Sequence, residues 1–173
     1  MLDDIRPKHA IPSETVTEGD LDKLTNGILY QMESYVSWAW FDGDLLAENY
    51  GDGPGFTLSD VHSETESASS STAKSRWTTA FTRINFQNEV LASASAASTE
   101  NEAVRAAKGT AYFCRAYLYY QLVIRYGNLP ILTSPTMEVV PLSNEDRVWA
   151  QIISDLETAA GYLDPFSSIY YPS

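Results

Sequence analysis

The chain has 173 residues, enough to bury one hydrophobic core. Its 23 acidic residues outnumber its 11 lysines and arginines and give a formal net charge of −12. This charge argues against nucleic acid or anionic lipid as the partner, because both require a basic surface. Cys114 is the only cysteine, so no intrachain disulfide is possible.

The N-terminal third is predicted to hold a leader, one helix and a long loop. Residues 1–16 are polar, contain two prolines and are expected to be extended. The first helix starts at the capping-box-like Thr17–Asp20 and is predicted to end at about Trp38. Helical periodicity then dissolves over residues 41–75, and loops of this length are usually functional or disordered.

Three further helices are predicted, at about 73–94, 100–126 and after the cap at 143–146. The second and third are joined by a short linker and should pack as an antiparallel hairpin. The segment 129–141 contains three prolines and is predicted to be extended. The apolar stripe of the fourth helix consists of Val148, Ile152, Leu156, Ala159 or Ala160, and Leu163.

The third helix is the most informative part of the chain. Ala103, Ala107 and Ala111 recur every four residues, a ridge that allows another helix to approach closely. Bulky side chains follow, so this helix is expected to be buried among other helices on most sides. Those side chains are Phe113, Tyr117, Leu118, Tyr119, Tyr120, Leu122, Val123, Ile124 and Tyr126. Gly127 should end the helix.

Polar residues of the third helix are assigned structural roles. Cys114 lies in mid-helix, where a buried, inert thiol is expected. Arg115 is predicted to pair with a carboxylate at a helix interface. Arg125, near the helix C-terminus, complements the helix dipole.

The sequence offers little that could support catalysis. His9 and His62 lie in polar segments without metal-ligand spacing, and no serine lies in a nucleophile elbow. Asp42, Asp44 and Glu48 are not part of the regularly spaced series of oxygen ligands, closed by a glutamate, that defines a calcium-binding loop. The two aspartates are predicted to cap or solvate the turn after the first helix, with a weak metal site as the alternative. We therefore expect no catalytic residue and no cofactor.

Aromatic residues cluster at and after the end of the first helix, among acidic and amide side chains. Sugars present apolar ring faces edged by hydroxyl groups, which exposed aromatic rings and nearby hydrogen-bonding groups can bind. Trp38 and Phe41 are predicted to pack against neighbouring helices. Trp40, Tyr50 and Phe56 are the predicted ligand-contacting residues.

The segment 105–132, RAAKGTAYFCRAYLYYQLVIRYGNLPIL, resembles the core signature of the SusD/RagB nutrient-binding lipoproteins. It combines a small-residue helix, an Arg-Ala pair, aromatic residues and a Tyr-Gly exit followed by proline. Three further blocks, 17–30, 77–91 and 148–163, resemble other family helices and occur in the family order.

This resemblance implies an all-α, tetratricopeptide-repeat-like helical superhelix with long irregular loops. Residues 17–173 would form the N-terminal helical domain of a longer protein. The family consists of non-catalytic lipoproteins on the surface of the Gram-negative outer membrane. They capture oligosaccharide, or less often peptide, and deliver it to a SusC-like TonB-dependent transporter. The usual signal peptide and lipid-anchor cysteine are absent from Met1–Asp3.

A second hypothesis of a different class stays open. The chain could be a helical-repeat adaptor that binds a protein segment between stacked helices and does not bind sugar.

Overall fold

The computed structural model describes residues 18–46 and 70–163. These residues form four helices and one pair of two-residue strands, which confirms the all-α class. The helices are α1 (Glu18–Leu46), α2 (Ser71–Ser95), α3 (Glu102–Tyr126) and α4 (Glu145–Tyr162). Strands β1 (Leu129–Pro130) and β2 (Leu142–Ser143) pair antiparallel, with Leu129 opposite Ser143.

Three of the helices begin at a polar cap. The side chains of Ser70, Asn101 and Asn144 accept backbone N–H groups of the first turns of α2, α3 and α4, at 3.0, 2.9 and 3.2 Å. Each bond satisfies a donor that the helix itself leaves unpaired. At the other end of α3, Gly127 has a φ of 70°, which few residues other than glycine adopt.

The first helix is longer than the sequence predicted. It continues past Trp38 to Leu46, so residues 41–46 of the predicted excursion are helical. Asp42 and Asp44 therefore lie within the helix, and their predicted place in a turn after it is wrong. The polar residues and Gly43 are typical of a turn, which is why the helix was predicted to end earlier. A helix can nevertheless contain them, because one glycine inside a helix costs only about 1 kcal/mol relative to alanine.

Helix α3 lies at the centre of the molecule and packs against α1, α2 and α4. Ala107 and Ala111 are fully buried, as the alanine ridge predicted. Gly109 lies between them, and a Cβ there would come within 2.7 Å of the Leu163 side chain. The small residues of α3 therefore let the end of α4 approach closely.

The prediction that α3 is buried on most sides is only partly correct. Phe113, Tyr120 and Ile124 are 50%, 42% and 53% exposed. Leu156 and Leu163 of the predicted α4 stripe are also partly exposed, while Val148, Ile152 and Ala159 are buried. The reason is that the described helices cover three sides of α3 and leave a fourth side open.

The segment between α3 and α4, predicted to be extended, is a strand only at Leu129–Pro130 before the second strand begins at Leu142, and it is bound to α2 and α3. The Asn88 amide donates to the carbonyls of Leu132 and Ser134 at 3.1 and 3.2 Å. The Tyr119 hydroxyl accepts the Leu132 N–H at 2.7 Å, and burial raises the pKa of Tyr119 to about 12. These bonds satisfy backbone groups that a two-residue ladder cannot pair.

Candidate functional site

The predicted ligand-contacting residues lie at the boundary of the described structure. The backbone of Trp40 belongs to the last turns of α1, but its side chain is outside the described part. Tyr50 and Phe56 lie outside the described residues, as do Glu48, His9 and His62. The grouping of Trp40, Tyr50 and Phe56 into one site therefore stays a prediction.

An apolar groove between α1 and α3 was not anticipated from the sequence. Its volume is about 650 Å³. Among the residues that the structure describes, those that line it are Leu29, Met32, Glu33, Val36, Ser37, Thr110, Phe113, Cys114 and Tyr117. Glu33 is the charged residue among them, and most of the others are apolar. The related sequence feature is the large number of apolar side chains on α3, which we interpreted as burial on most sides and not as an open groove.

The groove continues into a wider apolar surface. On α3, Phe113, Tyr120 and Ile124 have the spacing of a single helix face. Tyr120 contacts Trp149 of α4 edge-on, with ring centroids 6.0 Å apart. We call this surface the open face, and its exposed residues are Leu29, Val36, Phe113, Tyr120, Ile124, Trp149, Ile153 and Leu156.

A second aromatic cluster joins the C-terminus of α4 to α3. The rings of Tyr112 and Tyr162 stack at 6.3 Å with an interplanar angle of 3°. Arg105 and Lys108 lie 5.7 and 5.4 Å from the centre of the Tyr162 ring, and Arg115 lies 5.1 Å from that of Tyr112. Because cationic side chains already pack against these rings, we assign the cluster to packing between α3 and the end of α4 and not to sugar binding.

The polar residues of α3 behave as the sequence predicted. Arg115 is buried and forms two hydrogen bonds of 2.8 and 2.6 Å with buried Asp155 of α4. A third, of 2.6 Å, reaches the side-chain oxygen of Asn88 on α2. Arg125 donates to the Gln121 carbonyl in the last turns of α3, at 2.9 Å.

The thiol of Cys114 is buried at the base of the groove. Burial raises its pKa to about 11, so the thiol is neutral at physiological pH. The thiolate is the nucleophilic form of cysteine, and this environment suppresses it.

The described part of the chain holds no group of three or more side chains that could bind a metal ion. Within the same residues, no helix is both long and apolar enough to cross a membrane.

Comparison with known proteins decides the family. A family model described as starch-binding and associating with the outer membrane matches residues 2–171. The chain belongs to the SusD-like family. The resemblance seen in segment 105–132 is therefore confirmed, and the match extends over nearly the whole sequence.

One curated relative and several solved structures agree with this assignment. SusD-like protein P2 of Formosa agariphila is 28% identical over 160 residues, which cover 85% of this chain and 31% of P2. A SusD-like protein from Bacteroides fragilis has a TM-score of 0.71 at 22% identity and covers 94% of this chain and 33% of its own. A SusD superfamily protein from Bacteroides vulgatus has a TM-score of 0.69 at 19% identity and covers 87% and 36%.

These structural likenesses confirm the tetratricopeptide-repeat-like helical fold of this SusD-like chain. A further Bacteroides fragilis protein, described as a SusD-like carbohydrate binding protein, matches 60% of this chain with a TM-score of 0.53 and 24% identity. The SusD-like chain spans 31% of its curated relative and 21–36% of these solved structures.

Proposed function

We propose that this SusD-like chain captures oligosaccharide at the surface of the outer membrane and passes it to a SusC-like TonB-dependent transporter. The observation that carries the proposal is the family match over residues 2–171, because that family is described as starch-binding and associating with the outer membrane. In this role the chain binds and presents the glycan without chemical turnover. The corresponding location is the outer surface of the outer membrane, where the protein would be held as a lipoprotein.

The glycan would contact the end of α1 and the region that follows it. Helix α1 directs the chain into this region at Leu46, and the predicted platforms Trp40, Tyr50 and Phe56 lie on both sides of that point. Neighbouring Asn and acidic side chains supply hydrogen-bonding groups for sugar hydroxyls. The groove between α1 and α3 is a poorer candidate, because most of the surface that its described lining exposes is apolar.

A titration followed by tryptophan emission tests the proposal. Maltoheptaose is the first probe, since the family description names starch. We expect a saturable change in emission in the unmodified chain and its loss in Trp40→Phe. Trp149→Phe is the matched control, because Trp149 belongs to the open face and should not report on the sugar. No saturable response to malto-, cello-, xylo- or laminari-oligosaccharides would contradict glycan capture by this chain.

Delivery to a transporter is tested separately. The protein is isolated in mild detergent from outer membranes of the native organism, and co-purifying proteins are identified by mass spectrometry. We expect a TonB-dependent transporter in stoichiometric amount. Its absence, with glycan binding intact, would contradict delivery but not capture.

One observation favours the alternative, a helical-repeat adaptor. The apolar groove between α1 and α3 suits a protein segment better than a sugar. An adaptor should give no emission change with any of the oligosaccharides, whereas a glycan-binding protein should. The same titration therefore separates the two hypotheses.

A further inference from the structure

A short segment before α4 exposes apolar side chains to solvent almost completely. Met137 and Val139 are 96% and 99% exposed, and Leu142 is 64% exposed. We call residues 137–142 the apolar loop. Single exposed apolar residues are ordinary in proteins, but three within six positions form a compact apolar tip, which is typical of an interaction site.

Both ends of the apolar loop are held by the body of the protein. Before it, the Thr136 N–H donates to the side-chain oxygen of Asn85 on α2 at 2.9 Å, and the Glu138 N–H donates to the Thr136 hydroxyl at 3.0 Å. At its end, Leu142 pairs with Pro130 in the β1–β2 ladder. A loop with fixed ends loses little conformational entropy when it binds, so its side chains are preorganised for a partner.

The buried polar network of the core supports the segment that leads into the apolar loop. Asn88 donates to the carbonyls of Leu132 and Ser134. The side-chain oxygen of Asn88 accepts a 2.6 Å hydrogen bond from Arg115, which is itself paired with Asp155. Arg115 thereby fixes the amide in the orientation that donates to the segment. An exposed loop held by a buried network is typical of a binding element on a rigid scaffold.

Charge restricts which partner the apolar loop can have. Glu138 lies within the loop, and Glu145 and Asp146 follow it in the first turn of α4, all of them exposed. A second copy would bring the same carboxylates together, and an anionic lipid surface would repel them as well. A protein surface with an apolar pocket between lysine or arginine side chains fits both the apolar tip and its acidic border.

We propose that the apolar loop docks into such a pocket on another protein at the outer membrane, with Met137 and Val139 as the inserted side chains. For the identity of that protein the inference rests on the proposed function, in which the partner is a SusC-like TonB-dependent transporter. The apolar loop is separate in sequence from Trp40, Tyr50 and Phe56. Docking and glycan binding can therefore be measured independently.

A double substitution in the native organism tests this docking. Met137→Ser/Val139→Ser is introduced into the affinity-tagged protein, and the transporter that co-purifies in mild detergent is quantified by mass spectrometry. We expect at least about tenfold less transporter than with the unmodified protein, because a few central side chains carry most of the binding energy of an interface. Both residues are exposed, so thermal unfolding and the oligosaccharide titration should be unchanged.

Tyr30→Ser is the matched control. Tyr30 is also a large exposed side chain, 78% exposed on α1, and it lies outside the apolar loop. This variant should co-purify the transporter in the same amount as the unmodified protein.

A photo-crosslinker at position 139 identifies what the apolar loop contacts in the cell. We expect crosslinks to the transporter, in a peptide whose apolar residues are flanked by lysine or arginine. Crosslinks to a second copy, to another part of the same polypeptide, to a different protein or to lipid would overturn the inference.

The unmodified protein distinguishes failure of the docking from failure of the proposed function. If it co-purifies the transporter and Met137→Ser/Val139→Ser does so equally, the docking of the apolar loop is wrong and delivery stands. If the unmodified protein brings no transporter, delivery and this inference are both wrong, and glycan capture is unaffected.

Discussion

Arg115 connects three helices through a single side chain. It bonds to Asp155 on α4 and to Asn88 on α2, and Asn88 in turn bonds to the segment between α3 and α4. Gln151 adds a 2.8 Å bond to Asp155, so the carboxylate has several donors. A buried ion pair contributes little net stability over an apolar pair, but removing one partner leaves an uncompensated charge.

Arg115→Met should therefore destabilise the fold strongly. Asp155 would remain buried without its cation, at a cost of about 3–5 kcal/mol in the free energy of unfolding. Urea unfolding followed by circular dichroism measures this. The double variant Arg115→Met/Asp155→Leu should recover much of the loss. If the double variant is as unstable as the single one, the cost comes from packing and not from the unpaired charge.

Cys114 gives a second prediction at the scale of one residue. The side chain is nearly fully buried, and burial raises its pKa to about 11, which keeps the thiol in its less reactive protonated form. Labelling with a disulfide reagent at pH 8 should be slow in the native chain and fast in denaturant. Rapid labelling of the native chain would contradict the burial of this side chain between α1 and α3.

These residue roles could be predicted in part from sequence. The pairing of Arg115 with a carboxylate followed from a cation placed in the middle of an apolar helix. The identity of the carboxylate, Asp155, required the position of α4. The contribution of Asn88 was not predicted, because an asparagine in a helix gives no sequence signal for a tertiary partner.

At the scale of helices, small residues decide how closely α3 approaches its neighbours. Ala107 and Ala111 are fully buried in the core. A ridge of alanines at a spacing of four predicted this contact correctly. Gly109 was missed, although its lack of a Cβ is what accommodates Leu163.

Ala111→Leu should overpack this core. The added atoms have no space, and we expect a loss of about 1–3 kcal/mol in the free energy of unfolding. Ala150→Leu is the matched control, because Ala150 is exposed on α4 and should change stability little. Equal thermal unfolding of Ala111→Leu and the parent would refute the close packing.

Two glycines at helix ends should respond in opposite directions to alanine. Gly127 has a φ of 70°, and an added Cβ would lie 2.9 Å from a Glu145 carboxylate oxygen. Gly127→Ala should destabilise by about 1–3 kcal/mol. Gly161 lies within α4 with open space around it, and Gly161→Ala should stabilise by about 0.4–1 kcal/mol. Thermal unfolding of both variants checks the pair, and a change of the same sign in both would contradict this assignment.

The helix boundaries show where sequence patterns reach their limit. Caps at Asn101 and Asn144 are local signals, and the starts of α3 and α4 were accordingly predicted to within about two residues. The end of α1 was misplaced by eight residues, from Trp38 to Leu46. Aspartates and a glycine resemble a turn in sequence, yet a helix tolerates them at moderate cost.

At the scale of the whole molecule, the family and the fold could be predicted from the sequence, but the exposed apolar surface could not. The ordered helical blocks identified a SusD-like chain, and the match over residues 2–171 confirms it. The open face could not be predicted, because an apolar side chain in an all-apolar stretch does not indicate whether a neighbour covers it. Phe113 and Tyr120 were expected in the core for this reason.

The proposed glycan site is considered at the scale of the whole molecule, because its residues come from both the end of α1 and the region that follows it. Trp40, Tyr50 and Phe56 were chosen for residue type and position in the sequence. Aromatic stacking on a sugar should contribute on the order of 1 kcal/mol per platform. Removing two aromatic rings should therefore cost about 2 kcal/mol of binding free energy, which corresponds to a decrease in affinity of roughly tenfold or more.

Calorimetric titration of the Trp40→Ala/Tyr50→Ala variant tests the central claim most directly. The probe is the oligosaccharide that gives the strongest response in the parent, and Tyr30→Ala is the control, since Tyr30 is exposed on α1. We predict at least about tenfold weaker binding in the double variant, with helical circular dichroism unchanged and with parental affinity in the control. Parental affinity in the double variant, or loss of its helical signal, would contradict the assignment of these residues to a glycan site.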